Sequence, residues 1–150
     1  MATTLGLDFG DSKIGVAVSD ALGWTAQGVT TIYRENVTND LWFLRQLIAD
    51  YEVNEVVIGL PVKKNGEADA QTRKTLRFAQ LLRKTFHLPV RTWDERFSTI
   101  AASKILEQGN VGKKKKAAVI DKVAAIIILQ GYLDNRNDAP MLSSWSRTRR

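Results

Sequence analysis

The sequence contains no cysteine and a single histidine, His87, in 150 residues. A disulfide framework and a thiolate metal site are therefore both excluded. No apolar stretch approaches the roughly 18 residues that a membrane-spanning helix requires. The opening residues, MATTLGLDFG, lack a basic segment followed by a long apolar run and a small-residue cleavage site. These absences lead us to expect a soluble, unexported protein suited to a reducing cytoplasm. Internal repeats are absent, and the only low-complexity segment is a run of lysines.

A hydrophobic content of 44% is enough for one domain with a sizeable core and leaves no need for a second. The formal net charge of +6 is unevenly distributed, with Lys113, Lys114, Lys115 and Lys116 in a row and Arg147, Arg149 and Arg150 at the end. Such clustering favours a polyanionic partner, and a plain solvated loop with a basic tail is the simpler alternative.

The stretch Thr4 to Ser19, TLGLDFGDSKIGVAVS, reads as a β-hairpin. At period two, Leu5, Leu7 and Phe9 share one face of its first strand, and Gly6, Asp8 and Gly10 share the other. A carboxylate in an apolar strand requires a partner or a cation, and flanking glycines leave room for one. Gln27 to Tyr33 extends the hairpin to a three-stranded meander. A helix follows from an N-cap at Thr38, with Leu41, Leu44, Leu47, Ile48 and Tyr51 on its apolar face and Asp40, Arg45 and Asp50 between them.

Glu55 to Leu60 (EVVIGL) reads as a central parallel strand, closed by Pro61. Thr72, Leu76, Ala79, Leu82 and Phe86 mark a second helix, and Val90 to Glu95 a fifth strand. Ser98 can cap a third helix ending near Gly109. The loop Asn110 to Lys116 leads into a buried helix, Ala117 to Leu133. Residues 1–136 form the expected domain and residues 137–150 a basic, flexible tail. The element order implies an α/β fold: a mixed five-stranded sheet with helices on both faces.

Three acidic residues occupy positions that solvation alone does not explain. Asp8 lies in the first strand, Glu95 ends the fifth, and Asp121 shares a helical stripe with Ala125, Ile128 and Tyr132. Carboxylates brought together raise one another's pKa unless a divalent cation neutralises them. Oxygen donors without thiolates point to Mg²⁺ or Mn²⁺ rather than zinc. Such ions activate water and stabilise a leaving oxygen in phosphodiester hydrolysis.

Four segments carry a family resemblance: Asp8 to Gly15 (DFGDSKIG), Val57 to Pro61 (VIGLP), Asp94 to Thr99 (DERFST) and Asp121 to Ala125 (DKVAA). Together and in this order they resemble the YqgF family, over about Leu5 to Arg136. Members of that family are described as Holliday junction resolvases and as nucleases that mature the 5′ end of 16S ribosomal RNA. The resemblance implies a ribonuclease-H-like fold with strand order 3-2-1-4-5. It also implies a catalytic, metal-binding acidic cluster, which falls on Asp8, Glu95 and Asp121. Lys13 stands where the family usually has Arg, and a lysine cannot grip a phosphate with two parallel bonds. Val62 to Asn65 likewise departs from the family's usual Leu-Asn-Met.

The expected partner is nucleic acid, either precursor 16S rRNA or branched DNA, held by Lys13, Arg96 and Lys113 to Lys116. A homodimer stays open, since a junction resolvase needs two active sites and an RNA trimmer needs one. Two rival readings exist. Asp8-x-Gly10 with Gly15 resembles the phosphate hairpin of actin-like ATPases and sugar kinases, but a single domain has no second half to close over a nucleotide. The other is a nucleic-acid-binding protein without catalysis. Ser98 and Thr99 read equally well as helix caps, Arg96 as a surface ion-pair partner, and Trp24, Trp42 and Trp93 as packing residues.

Overall fold

In the computed structural model the described residues are 3–63, 65–95 and 113–136, with the side chains of 113–121 outside the description. The elements are β1 (Thr3–Phe9), β2 (Lys13–Ser19), β3 (Ala26–Tyr33), α1 (Val37–Asp50), β4 (Val53–Leu60), α2 (Ala70–Phe86), β5 (Val90–Asp94) and α3 (Lys113–Asp134). They build one five-stranded sheet in the order β3-β2-β1-β4-β5. β1, β2 and β3 form the expected antiparallel meander, and β4 runs parallel to both β1 and β5.

The period-two reading of β1 holds on both faces. Leu5, Leu7 and Phe9 join Val16, Ile58, Leu44, Phe78 and Leu82 in the core beneath α1 and α2. On the opposite face Ala17 and Val57 are covered by Ala125, Ile128, Leu129 and Tyr132 of α3. The helix approaches the sheet closely here. A β-carbon on Gly6 would lie 2.7 Å from the Leu129 Cβ and 3.4 Å from the Ala125 carbonyl oxygen, so only glycine lets α3 sit where it does.

Polar contacts fix the C-terminal half of α3. The Ala26 amide donates to the Gln130 Oε1 at 2.9 Å, and the Gln130 Nε2 donates to the Trp24 carbonyl at 2.8 Å. The Tyr132 hydroxyl donates to Glu55 at 2.9 Å, and Glu55 also accepts from the Thr4 hydroxyl at 2.9 Å and from the Arg91 Nε at 3.3 Å. Burial and the Glu55 carboxylate push the Tyr132 phenol up to about 12. One carboxylate thus joins β1, β4, β5 and α3.

Four expectations are corrected. The cap of α1 is Asn36, whose side chain accepts the Asn39 amide at 2.8 Å, in place of Thr38. Asp40, read as lying between the apolar positions of α1, is fully buried against Arg34, four residues before Leu44 on the same stripe. Lys113 to Lys116 form the first turn of α3 and not a loop. Trp24 and Trp42 are 73% and 56% exposed, whereas Trp93 packs as expected, its indole against Gly131. The segment from Ser98 to Gly109 and the tail 137–150 lie outside the described residues.

Gly6→Ala should destabilise the domain by about 1–3 kcal/mol, the usual range for overpacking a filled interior. Urea denaturation measures this directly. An unchanged midpoint would show that α3 can shift outward freely.

Candidate active site

Asp8 projects from the α3 face of β1 into a space that glycines keep open. Gly6 and Gly10 flank it along its own strand, and Gly15 on β2 is its cross-strand partner. On the other side the Leu7–Ile58 register brings Gly59 of β4 alongside. Glu95 follows directly after β5, and its carboxyl group shares a hydrogen bond with that of Asp8. A β-carbon on Gly59 would meet Ile128 and come within 2.5 Å of the Glu95 Oε1. Gly59 therefore makes the seat for Glu95. Its signal in the sequence was a lone glycine inside the apolar strand EVVIGL, a mark of close approach.

The pair stands at the carboxyl ends of the parallel strands β1, β4 and β5, where α/β sheets form their ligand crevices. Burial, the hydrogen bond to Asp8 and the charges of Asp8 and Asp94 push Glu95 up from 4.5 to about 9. Two carboxyl groups in contact hold a proton between them because both cannot ionise without strong repulsion.

α3 reaches the same edge. It runs opposite to β1, with Tyr132 beside Thr4 and Glu55 and with Ala125 over Gly6. One further helical turn, about 6 Å of rise, leads back to position 121. Two residues of strand, about 6.6 Å, lead from Gly6 to Asp8. The backbone of Asp121 is thereby level with Asp8, though its side chain lies outside the described ones.

A family model described as "RuvX: Holliday junction resolvase" matches residues 2–135. The chain belongs to the RuvX family. This is the YqgF family that the sequence motifs resemble, and membership makes the chain a nuclease. RuvX relatives are similar along nearly their whole length. A protein of Desulforamulus reducens named "Putative pre-16S rRNA nuclease" is 48% identical over 131 residues, covering 87% of this chain and 96% of the relative. One of the same name from Clostridium tetani is 47% identical, with 87% and 95% covered.

Solved resolvases share the fold of this RuvX chain. The structure titled "T. thermophilus RuvC in complex with Holliday junction substrate" superposes with a TM-score of 0.59 at 13% identity, over 94% of this chain and 99% of that one. The Fowlpox virus resolvase, solved with Holliday junction DNA, gives 0.56 at 10% identity, over 89% and 98%.

The remaining site residues of the RuvX chain are placed unevenly. Lys13 opens β2 with its ammonium 5.9 Å from the centre of the Tyr33 ring. Arg96 lies outside the described residues, as do the side chains of Lys113 to Lys116. Among the described residues no set of three metal-ligating side chains is assembled. The described part of the cluster is the Asp8–Glu95 pair. Its crowded oxygen donors fit a hard divalent cation, which would relieve their repulsion.

The raised pKa of Glu95 has a consequence for stability. A carboxyl group whose native pKa is raised contributes stability that is full below its unfolded value and lost as pH rises through the native one. In EDTA, wild-type stability should therefore fall between pH 4.5 and about 9, and Glu95→Gln should flatten that fall. Thermal melts across this range check it, and parallel curves for the two proteins would contradict the shared-proton pair.

Proposed function

We propose that this RuvX protein is a divalent-metal-dependent nuclease that hydrolyses phosphodiester bonds of ribosomal RNA precursors. The carrying observation is the Asp8–Glu95 carboxyl pair seated over glycines at the carboxyl edge of the sheet. Asp8, Glu95 and Asp121 would hold Mg²⁺ or Mn²⁺, which supplies an activated water and stabilisation for the leaving oxygen. Asp8 on β1 and Glu95 directly after β5 are held by the sheet, so little reorganisation of this pair would accompany substrate binding. The glycines around Asp8 leave space for a phosphate to enter. Lys13, Arg96 and Lys113 to Lys116 hold the nucleic-acid backbone, a contact that selects charge rather than sequence.

The names carried by the 48% and 47% identical relatives support the 5′ end of precursor 16S rRNA as substrate. That substrate would place the enzyme in the cytoplasm, and among the described residues no helix is long and apolar enough to cross a membrane. A second reading, cleavage of four-way DNA junctions by a homodimer, is favoured by the description of the matching family. Residues 1–136 would then carry the catalytic domain, and the basic tail 137–150 would add backbone contacts.

Asp8→Asn keeps the shape of the side chain and removes its charge. It should abolish Mg²⁺-dependent cleavage of both a precursor-rRNA oligonucleotide and a junction while the protein still melts cooperatively. Cleavage at the wild-type rate would overturn the site. The relative rates on the two substrates decide between the readings.

Asp121→Asn should lose activity and yet equal or exceed wild-type stability in EDTA, because one repelling charge is gone. Millimolar Mg²⁺ should then raise the wild-type melting temperature more than the variant's, since native-state binding stabilises by RT ln(1 + [L]/Kd). Equal shifts would leave Asp121 with a structural role only.

A further inference from the structure

The catalytic edge has a second side. Phe9 follows Asp8 on β1 and points to the opposite face of the sheet, where it borders an open pocket of about 270 Å³. Three cationic side chains line that pocket: Arg34 from the end of β3, and Lys74 and Arg77 from α2. Its apolar wall is formed by Phe9, Val37, Phe78 and Leu81.

Arg34 is held in place before any ligand arrives. Its Nε donates to the buried Asp40 Oδ2 at 2.8 Å, and its Nη1 donates to the Gly10 carbonyl at 2.9 Å. Its guanidinium also lies over the Phe9 ring, 4.5 Å from the centroid. These contacts use Nε, Nη1 and one face of the group. Among the described residues they leave Nη2 without a partner, on a side chain that lines the pocket. Fixing a guanidinium in advance removes the entropy loss that usually weakens an exposed cation's grip.

The other two cations are less committed. Lys74 meets Asp11 at 3.4 Å, with both groups largely in solvent, an ion pair that contributes little. Among the described residues Arg77 is paired with no carboxylate. Asp40 neutralises Arg34 from behind and Asp11 stands at the rim, so Lys74 and Arg77 give the pocket its positive excess. A fixed guanidinium with Nη2 open and two further cations suits a phosphate group, whose oxygens accept several charge-assisted bonds together.

We propose that this pocket is a second phosphate subsite, taking a backbone phosphate of the same strand that the Asp8–Glu95 centre cuts. The assignment rests on the nuclease reading above and extends it. Asp8 and Phe9 are successive residues, so the strand has only to cross the end of β1 and the Gly10–Ser12 turn to reach from one site to the other. The scissile phosphate lies over the acidic face, and a neighbouring phosphate is held on the basic face. This anchors the strand across the sheet edge and fixes which bond meets the carboxylates.

The test uses the full-length protein in EDTA, so that binding is read without cleavage, and a single-stranded oligonucleotide just long enough to span the two sites, so that it binds in one register. Lys74→Gln and Arg77→Gln alter exposed positions on α2 and leave the Arg34–Asp40 pair intact. The double variant should bind several-fold more weakly, and its log Kd against log salt slope should drop by about 0.7 for each single-strand phosphate that the protein no longer neutralises. Uncharged methylphosphonate linkages placed one at a time along the strand give the second readout. One position away from the scissile bond should weaken wild-type binding and have no effect on the double variant.

Unchanged affinity and slope would overturn the subsite. A weakening spread evenly over every linkage would overturn it too, in favour of diffuse attraction. Excess inorganic phosphate or mononucleotide that saturates the pocket without displacing the strand would make it a free-anion site and refute the assignment. Failure of the nuclease reading is distinguishable, because wild type would then not cleave in Mg²⁺ while the position-specific effect persisted.

Discussion

Asp8 and Glu95 touch, and two carboxylates in contact repel. The surrounding residues at the carboxyl edge of the sheet hold them there nonetheless. Gly59 makes the seat for Glu95, and Gly15 leaves the flank of Asp8 open. α3 is clamped at its far half, where Gln130 bonds the start of β3 and Tyr132 bonds Glu55. That anchorage lets the near half of the helix extend over the crowded edge without relying on contacts among the acids themselves. Under the proposed reading stability is supplied at one end of the helix and chemistry at the other, in line with the rule that strained functional geometry persists only when its surroundings determine it.

The acids could be found in the sequence because they broke a local rule. Asp8 interrupts an apolar alternation, and Glu95 stands directly after the half-buried strand Val90–Asp94. The strands were legible for a related reason: β-branched runs, a glycine turn and a proline stop mark β1 to β4, while their order was implied by the family resemblance. Where the reading failed, the deciding partner was distant. Asp40 precedes Leu44 by four residues and Leu47 by seven, on the apolar stripe of α1, and the guanidinium of Arg34, delivered by the end of β3, makes its burial tolerable. Glu55 drew no attention as the first residue of an apolar run, yet it is the node that joins β1, β5 and α3. The lysine run read as a loop because four adjacent cations do not favour a helix start, where the macrodipole is positive. In the structure it is the first turn of α3.

A nuclease has an electrostatic problem that a cluster of acids makes worse. Its substrate is a polyanion, and under the proposed reading the carboxylates that would perform the chemistry repel it. A net charge of +6 draws nucleic acid toward the protein as a whole, but long-range attraction cannot decide which phosphate ends up beside the carboxylates. Local charge has to do that. β1 separates the two signs with little space between them: Asp8 faces α3, and Phe9, one residue on, faces a pocket lined by Arg34, Lys74 and Arg77. Under the proposed reading, a metal converts the acidic face into one that accepts a phosphate, while the basic face accepts one unaided. The strand would then be held before the metal-dependent step and cut only where its geometry brings a bond over Asp8 and Glu95. Register along the nucleic acid would follow from the width of a single β-strand, without any side chain reading a base.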